Sequence, residues 1–265
     1  MRASRIRASG FAACAATRGP EPLSAGIVFA AAAGTAVATG LGALPLRLAR
    51  RPSRSWLGLA NGLAAGFMVG ASVGLLWEGS RSGPGRTLAG AAAGAVFIAL
   101  TRRLLDRGRE LHFGAFRGVD ATKMLLIVGV MTVHSFTEGV GVGVSFGGGE
   151  ALGVVIAIAI AIHNVPEGLA ISLVLVPRGV SIRRAAAWSV FSSLPQPLMA
   201  VPAFVFVETF EPFLPAGLGF AAGAMLWMVA AELLPEAVRE APARRVVTVG
   251  AASACAMVAL QAALL

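Results

Sequence analysis

The chain has 265 residues, of which 57% are hydrophobic and only 13% charged, and its mean hydropathy is +0.79. Water-soluble domains keep roughly a quarter of their residues charged, so this composition excludes an ordinary soluble enzyme and reads as an all-α membrane protein with several spans. The net charge of +9 is carried by Arg residues beside apolar stretches, without the basic-aromatic stripe of a nucleic-acid binder, and Cys14 and Cys255 are too few for a disulfide framework or a thiolate metal site.

Residues 1–23 form a basic N-terminal segment, with Arg2, Arg5, Arg7 and Arg18, that reads as disordered or processed. Residues 24–265 read as one domain. Its apolar runs predict eight spans: Ala25 to Leu46, Trp56 to Trp77, Thr87 to Thr101, Met124 to Phe146, Ala151 to Val176, Ala185 to Val207, Phe213 to Leu234 and Val246 to Leu265. The third is short and rich in Ala and Gly. Trp56 and Trp77 bracket the second as interface anchors do. Positive charge alternates between loops. Arg47, Arg50, Arg51 and Arg54 follow the first span, six basic residues from Arg102 to Lys123 separate the third and fourth, and Arg triplets follow the fifth and seventh. The positive-inside rule makes these four loops cytoplasmic and puts both termini outside, although the basic N-terminus runs against that orientation.

Ionisable groups inside hydrocarbon cost at least ~2.5–3.5 kcal/mol each and mark function. The fourth span carries His134-Ser135-Phe136-Thr137-Glu138-Gly139 and the fifth His163-Asn164-Val165-Pro166-Glu167-Gly168, the same His-x-x-x-Glu-Gly pattern at an interval of 29 residues. Spacing i,i+4 puts each His and Glu on one helix face, and the Gly147-Gly148-Gly149-Glu150 turn predicts an antiparallel hairpin. The two His are equidistant from the turn, so they fall at similar depth, with each Glu about 6 Å away along its helix. Pro166 bends its span, and Gly139 and Gly168 allow close backbone approach. Two imidazoles and two carboxylates suit Zn²⁺, with Fe²⁺, Mn²⁺ and Cd²⁺ also served by that donor set. A hydrogen-bonded His–Glu staple and a proton relay are the alternatives for the same residues. Neither helix carries the HExxH of a metalloprotease.

His163 to Gly168 resembles the HNxPEG signature in the fifth helix of the ZIP (ZRT/IRT-like) divalent-metal transporters, and His134 to Gly139 resembles the matching motif of their fourth helix. The likeness extends over about residues 24–265 and points to the bacterial GufA/ZupT-like branch. It implies an integral protein of the cytoplasmic (inner) membrane, eight spans in a 3+2+3 inverted-repeat arrangement, and a metal site on helices four and five. By motif position it implies His134, Glu138, His163 and Glu167 as ligands, Asn164 as a second-site ligand and Met68 as a weak thioether ligand. Ser135 stands where Asn is common. Gln196, in Ser193-Leu194-Pro195-Gln196-Pro197, stands where the family often has Glu, so one strong metal position is expected and a weak or missing second. The usual His-rich loop is replaced by a lone His112, expected to be a surface or interface residue.

Gly62 to Met68 in the second span also parallels Gly219 to Met225 in the seventh, as an inverted repeat would give. Glu78 follows the one, and Glu232 and Glu236 the other; they are expected to collect cations outside and accept them inside, with Ser135 and Ser193 on the same route. The expected function is uptake of a divalent cation, most simply zinc, with no covalent chemistry and no organic cofactor. A proton-coupled carrier of another solute is the alternative. The expected partners are the metal ion and the bilayer, no nucleic acid, and a homodimer.

Overall fold

A computed structural model describes residues 24–48, 53–107, 119–176 and 179–264. The basic segment 1–23, Cys14, Arg50, Arg51, His112 and part of the loop after the third span lie outside the described residues. The described residues form helices and no strand: α1 (Ala25–Leu41), α2 (Pro45–Leu48), α3 (Arg54–Ser82), α4 (Pro84–Arg107), α5 (Val119–Gly147), α6 (Glu150–Leu175), α7 (Ile182–Ser192), α8 (Pro195–Thr209), α9 (Leu214–Met228), α10 (Leu234–Glu240) and α11 (Ala243–Leu264). Seven stretches among the described residues are long and apolar enough to cross a membrane. The 29-residue α5 packs among them. Ser side chains start three of the helices: Ser24, Ser53 and Ser181 accept the backbone N–H of Ile27, Trp56 and Arg184.

Three spans differ from their sequence expectation. The third is longer, because Arg86 at one end and Arg102 and Arg103 at the other lie within α4, where long basic side chains reach beyond the apolar stretch. The sixth is broken: α7 ends at Ser192 and α8 starts at Pro195. A helix start buried in hydrocarbon would leave amide protons unpaired. Here Pro195 and Pro197 have no N–H, and the Gln196 N–H bonds the Ser193 carbonyl. The seventh passes through a π turn, Val229–Leu233, before α10.

The helices pack as two groups. In one, α4 lies along α9 and α11 along α3, with α3 against α9. In the other, α5 lies along α8, α1 along α6 and α8, and α7 beside α1. The groups meet where α3 packs on α6 and α5 on α9. Bare backbone allows the tightest approach. A Cβ on Gly90 or Gly94 of α4 would overlap the Ala216 or Phe220 carbonyl of α9, and one on Gly219 or Gly223 would overlap the Thr87 or Ala91 carbonyl of α4. The apolar core between the groups includes Met68, Leu75, Val142, Ile156, Ile160 and Met225.

Candidate metal centre

The hairpin α5–α6 builds the site. Its corner is Gly148-Gly149, and Gly149 has φ 127, a conformation that side chains with a Cβ rarely adopt. Returning through this corner, α6 brings its His–Glu face against that of α5. One ligand atom from each of His134, Glu138, His163 and Glu167 lies within 4.8 Å of the others, and all four residues are buried. The convergence expected from the motif spacing is what the structure has.

Glu138 is the hub. Its Oε1 lies 2.6 Å from His163 Nε2 and 3.2 Å from His134 Nε2. Its Oε2 accepts from Gln196 Nε2, at the first turn of α8, at 2.5 Å. The Gln196 amide is oriented by its other end, where Oε1 accepts from Asn164 Nδ2 at 3.2 Å and from the Thr35 hydroxyl of α1 at 2.5 Å. Asn164 Nδ2 also donates to the Thr35 carbonyl at 2.9 Å. Four helices, α1, α5, α6 and α8, are thus tied together at the depth of the four donors. Gly139 and Gly168 make this possible. A Cβ on Gly139 would meet the Gln196 backbone, and one on Gly168 would overlap the Thr39 carbonyl.

Beside these contacts lies a set of buried polar atoms with no hydrogen-bond partner: both Glu167 oxygens, both ring nitrogens of His134, Nδ1 of His163, Asn164 Oδ1 and Ser135 Oγ. Buried lone pairs without partners cost free energy, and a cation is the species that satisfies several at once. With neutral imidazoles, the two carboxylates carry the charge that one dication cancels. The donor set fits a borderline divalent metal.

The remaining sequence candidates are spread along the molecule. Met68 is buried in the apolar core on α3, the helix that packs on α6. Ser193 is buried and donates to Thr39 Oγ1 at 2.8 Å. Glu78 is paired with Arg81 at 3.3 Å and Glu236 with Arg239 at 3.7 Å. Glu232, in the π turn, is paired with Arg102 Nε at 2.8 Å. Arg102 also donates to the Ala231 carbonyl at 3.4 Å and lies over the Trp227 ring. All three acids therefore share their charge with an arginine. Sequence reasoning missed these partners, and it missed Thr35 and Thr39. The available signal was two Thr at i,i+4 in a span otherwise built of Ala, Gly, aliphatic residues and one Phe.

The sequence matches the family described as "ZIP Zinc transporter" over residues 111–259, more than half of the chain. An Arabidopsis thaliana protein with a provisional zinc-transporter name is 49% identical over 228 residues, covering 85% of this chain and 37% of that protein. The zinc transporter GufA of Myxococcus xanthus is 34% identical over 234 residues, covering 82% of this chain and 90% of GufA. The zinc transporter ZIPB of Bordetella bronchiseptica is 35% identical over 222 residues, covering 79% and 72%. The chain thus spans little more than a third of the plant protein and nine-tenths of GufA.

Proposed function

The chain belongs to the ZIP zinc-transporter family, and from that premise we propose that it carries a divalent cation, zinc foremost, from the outer face of the membrane into the cytoplasm. It acts as a transporter and not as an enzyme. His134, Glu138, His163 and Glu167 hold the ion in transit. One observation carries this reading: four donors of the right chemistry, on two adjoining helices, meet within 4.8 Å in a buried place. Fe²⁺, Mn²⁺ and Cd²⁺ suit the same donors and are the competing substrates.

The site takes one ion strongly. Asn164 and Ser135 offer oxygens for a second, but Gln196 turns its NH₂ group toward Glu138, and those protons oppose a cation there. Met68 supplies a weak thioether contact from α3. Glu78 collects ions outside, Glu232 and Glu236 accept them inside, and Ser193 lines the route. Each of the three acids is held in an arginine pair with which a passing cation competes.

The architecture of this reading is eight spans in the cytoplasmic membrane with both termini outside: α1, α3, α4, α5, α6, α7–α8, α9–α10 and α11. The arrangement is 3+2+3 around the α5–α6 hairpin. The packing supports it, since α1 lies on α6 as α8 lies on α5, and α3 on α11 as α9 on α4. Exchanging the halves swaps each pair with its counterpart. Transport follows when the group carrying the site moves against the other. The polar contacts around the site tie α1, α5, α6 and α8 together, while the boundary with the second group is apolar. A negative-inside potential contributes ~4.6 kcal/mol per 100 mV to a dication crossing the whole field. A homodimer belongs to the same proposal.

Zinc flux into proteoliposomes tests the reading. His163→Ala and Glu167→Ala abolish uptake while the protein still reaches the membrane. Wild-type uptake in both variants refutes the site. Metal-free, chelator-insensitive movement of another solute favours the proton relay.

A further inference from the structure

A groove of about 490 Å³ opens on the outer surface between α5, α8 and α9, and every residue lining it is apolar. Its lining includes Phe136 and Val144 of α5, Ala203 and Phe206 of α8, Phe220 of α9, and Phe213 just before α9. Phe206 and Phe213 are about half exposed. Its size is that of a cavity for a single small ligand. Along α5 it runs from Phe136 to Val144, eight residues or about 12 Å, close to the ~15 Å hydrocarbon depth of one leaflet. Three charged residues stand by the end near Phe213. Glu208 follows the lining residue Val207, and Glu211 precedes Pro212 and Phe213. Arg86 of α4 donates from Nη1 to the Pro212 carbonyl at 3.1 Å. All three charged residues are exposed.

From these features we propose that the groove binds one glycerophospholipid with a zwitterionic head bearing a primary ammonium, of the phosphatidylethanolamine class. One acyl chain lies along Phe136, Val144 and Ala203. The phosphate pairs with Arg86, and the ammonium donates to Glu208 and Glu211. A purely anionic head meets two carboxylates at the same rim and is disfavoured. The length places the lipid in the leaflet on the side of the α5–α6 corner, the outer one in the orientation proposed above, and the inference rests on that membrane placement. The lipid bridges the two helix groups, since α5 and α8 belong to one and α9 to the other.

Native mass spectrometry of the full chain tests this after delipidation and exposure to vesicles of equal phosphatidylethanolamine and phosphatidylglycerol. The expected result is one phosphatidylethanolamine adduct per chain. Ala203→Trp, which fills the groove, should lower the adduct at least tenfold. Arg86→Glu, a surface change, should lower it with the groove intact. Equal retention by wild type and both variants overturns the site, and equal retention of the two lipids overturns the head-group assignment. A lipid-free dimer that Ala203→Trp dissociates identifies a second copy as the occupant and also overturns it. Zinc flux is read separately. A chain that keeps the lipid but moves no zinc fails only as a transporter, and one that moves zinc without retaining lipid refutes only this inference.

Discussion

Gly139 and Gly34 make a matched pair for testing how the site is held. Both are helical glycines, and both become alanine by the addition of one methyl group. At Gly139 the new Cβ would stand 2.5 Å from the Gln196 carbonyl oxygen, 2.8 Å from its Cα and 3.0 Å from its carbonyl carbon. Ordinary contact begins near 3.4 Å, so α8 must withdraw from α5 by about 1 Å. These atoms are backbone and cannot turn aside. Overpacking of this kind costs ~1–3 kcal/mol. The same movement stretches the 2.5 Å contact between Gln196 and Glu138 to about 3.5 Å, beyond hydrogen-bond range. A hydrogen bond to a charged group is worth ~1.5–3 kcal/mol, and 1.4 kcal/mol is a factor of ten in affinity. Because Glu138 then loses the contact that fixes its carboxylate among the four donors, and no third carboxylate replaces it, Gly139→Ala should weaken zinc binding at the first position at least ~tenfold and lower the melting temperature in detergent. Gly34 has nothing within 4 Å of its Cβ position, so Gly34→Ala should leave uptake unchanged and stability equal or slightly higher. Zinc titration and thermal unfolding of the two variants side by side provide the assay. Wild-type affinity in Gly139→Ala would refute the claim that the α5–α8 contact positions Glu138.

Gln196→Glu replaces a donor aimed at Glu138 by a third carboxylate, and bound metal measured by elemental analysis should rise from about one to about two ions per chain; an unchanged value refutes the role given to the amide. Imidazole and carboxylate must be unprotonated to ligate, so protons compete with the substrate. Zinc affinity should fall on acidification, by at least about tenfold between pH 7.5 and 5.5, and an affinity flat over that range would contradict the His/Glu donor set.

The hairpin and its four donors were legible because their chemistry is local. Each His–Glu pair is one helical turn apart, the glycine corner is explicit, and equal chain distances from it set equal depths. Gln196 was legible as a site residue through its Pro-flanked motif, but its orientation was not. That orientation depends on Thr35, 161 residues away, and on Asn164. A Thr in an apolar span ordinarily bonds a carbonyl of its own helix, which hides any longer-range role. The break before α8 was missed because the apolar runs on either side of Ser192-Ser193 are together long enough for one span, and only that serine pair and the prolines flanking Gln196 hint at it. The Arg102–Glu232 pair joins residues 130 positions apart at the end of one span and in the π turn of another. The sequence counted these residues as an orienting charge and an acceptor of cations, since nothing short of the packing of α4 on α9 brings them together.

The two-residue corner at Gly148 and Gly149 governs the phase of both half-sites. From Gly148 back to His134, and from Gly149 on to His163, the chain runs fourteen residues each way without a loop that could absorb a slip. One residue inserted anywhere between Glu138 and Gly147 would turn the upstream His–Glu face by about 100° and advance it about 1.5 Å. The hairpin thus works as a vernier. Its two scales coincide at one setting only, and chain length fixes that setting as firmly as the identity of the donors.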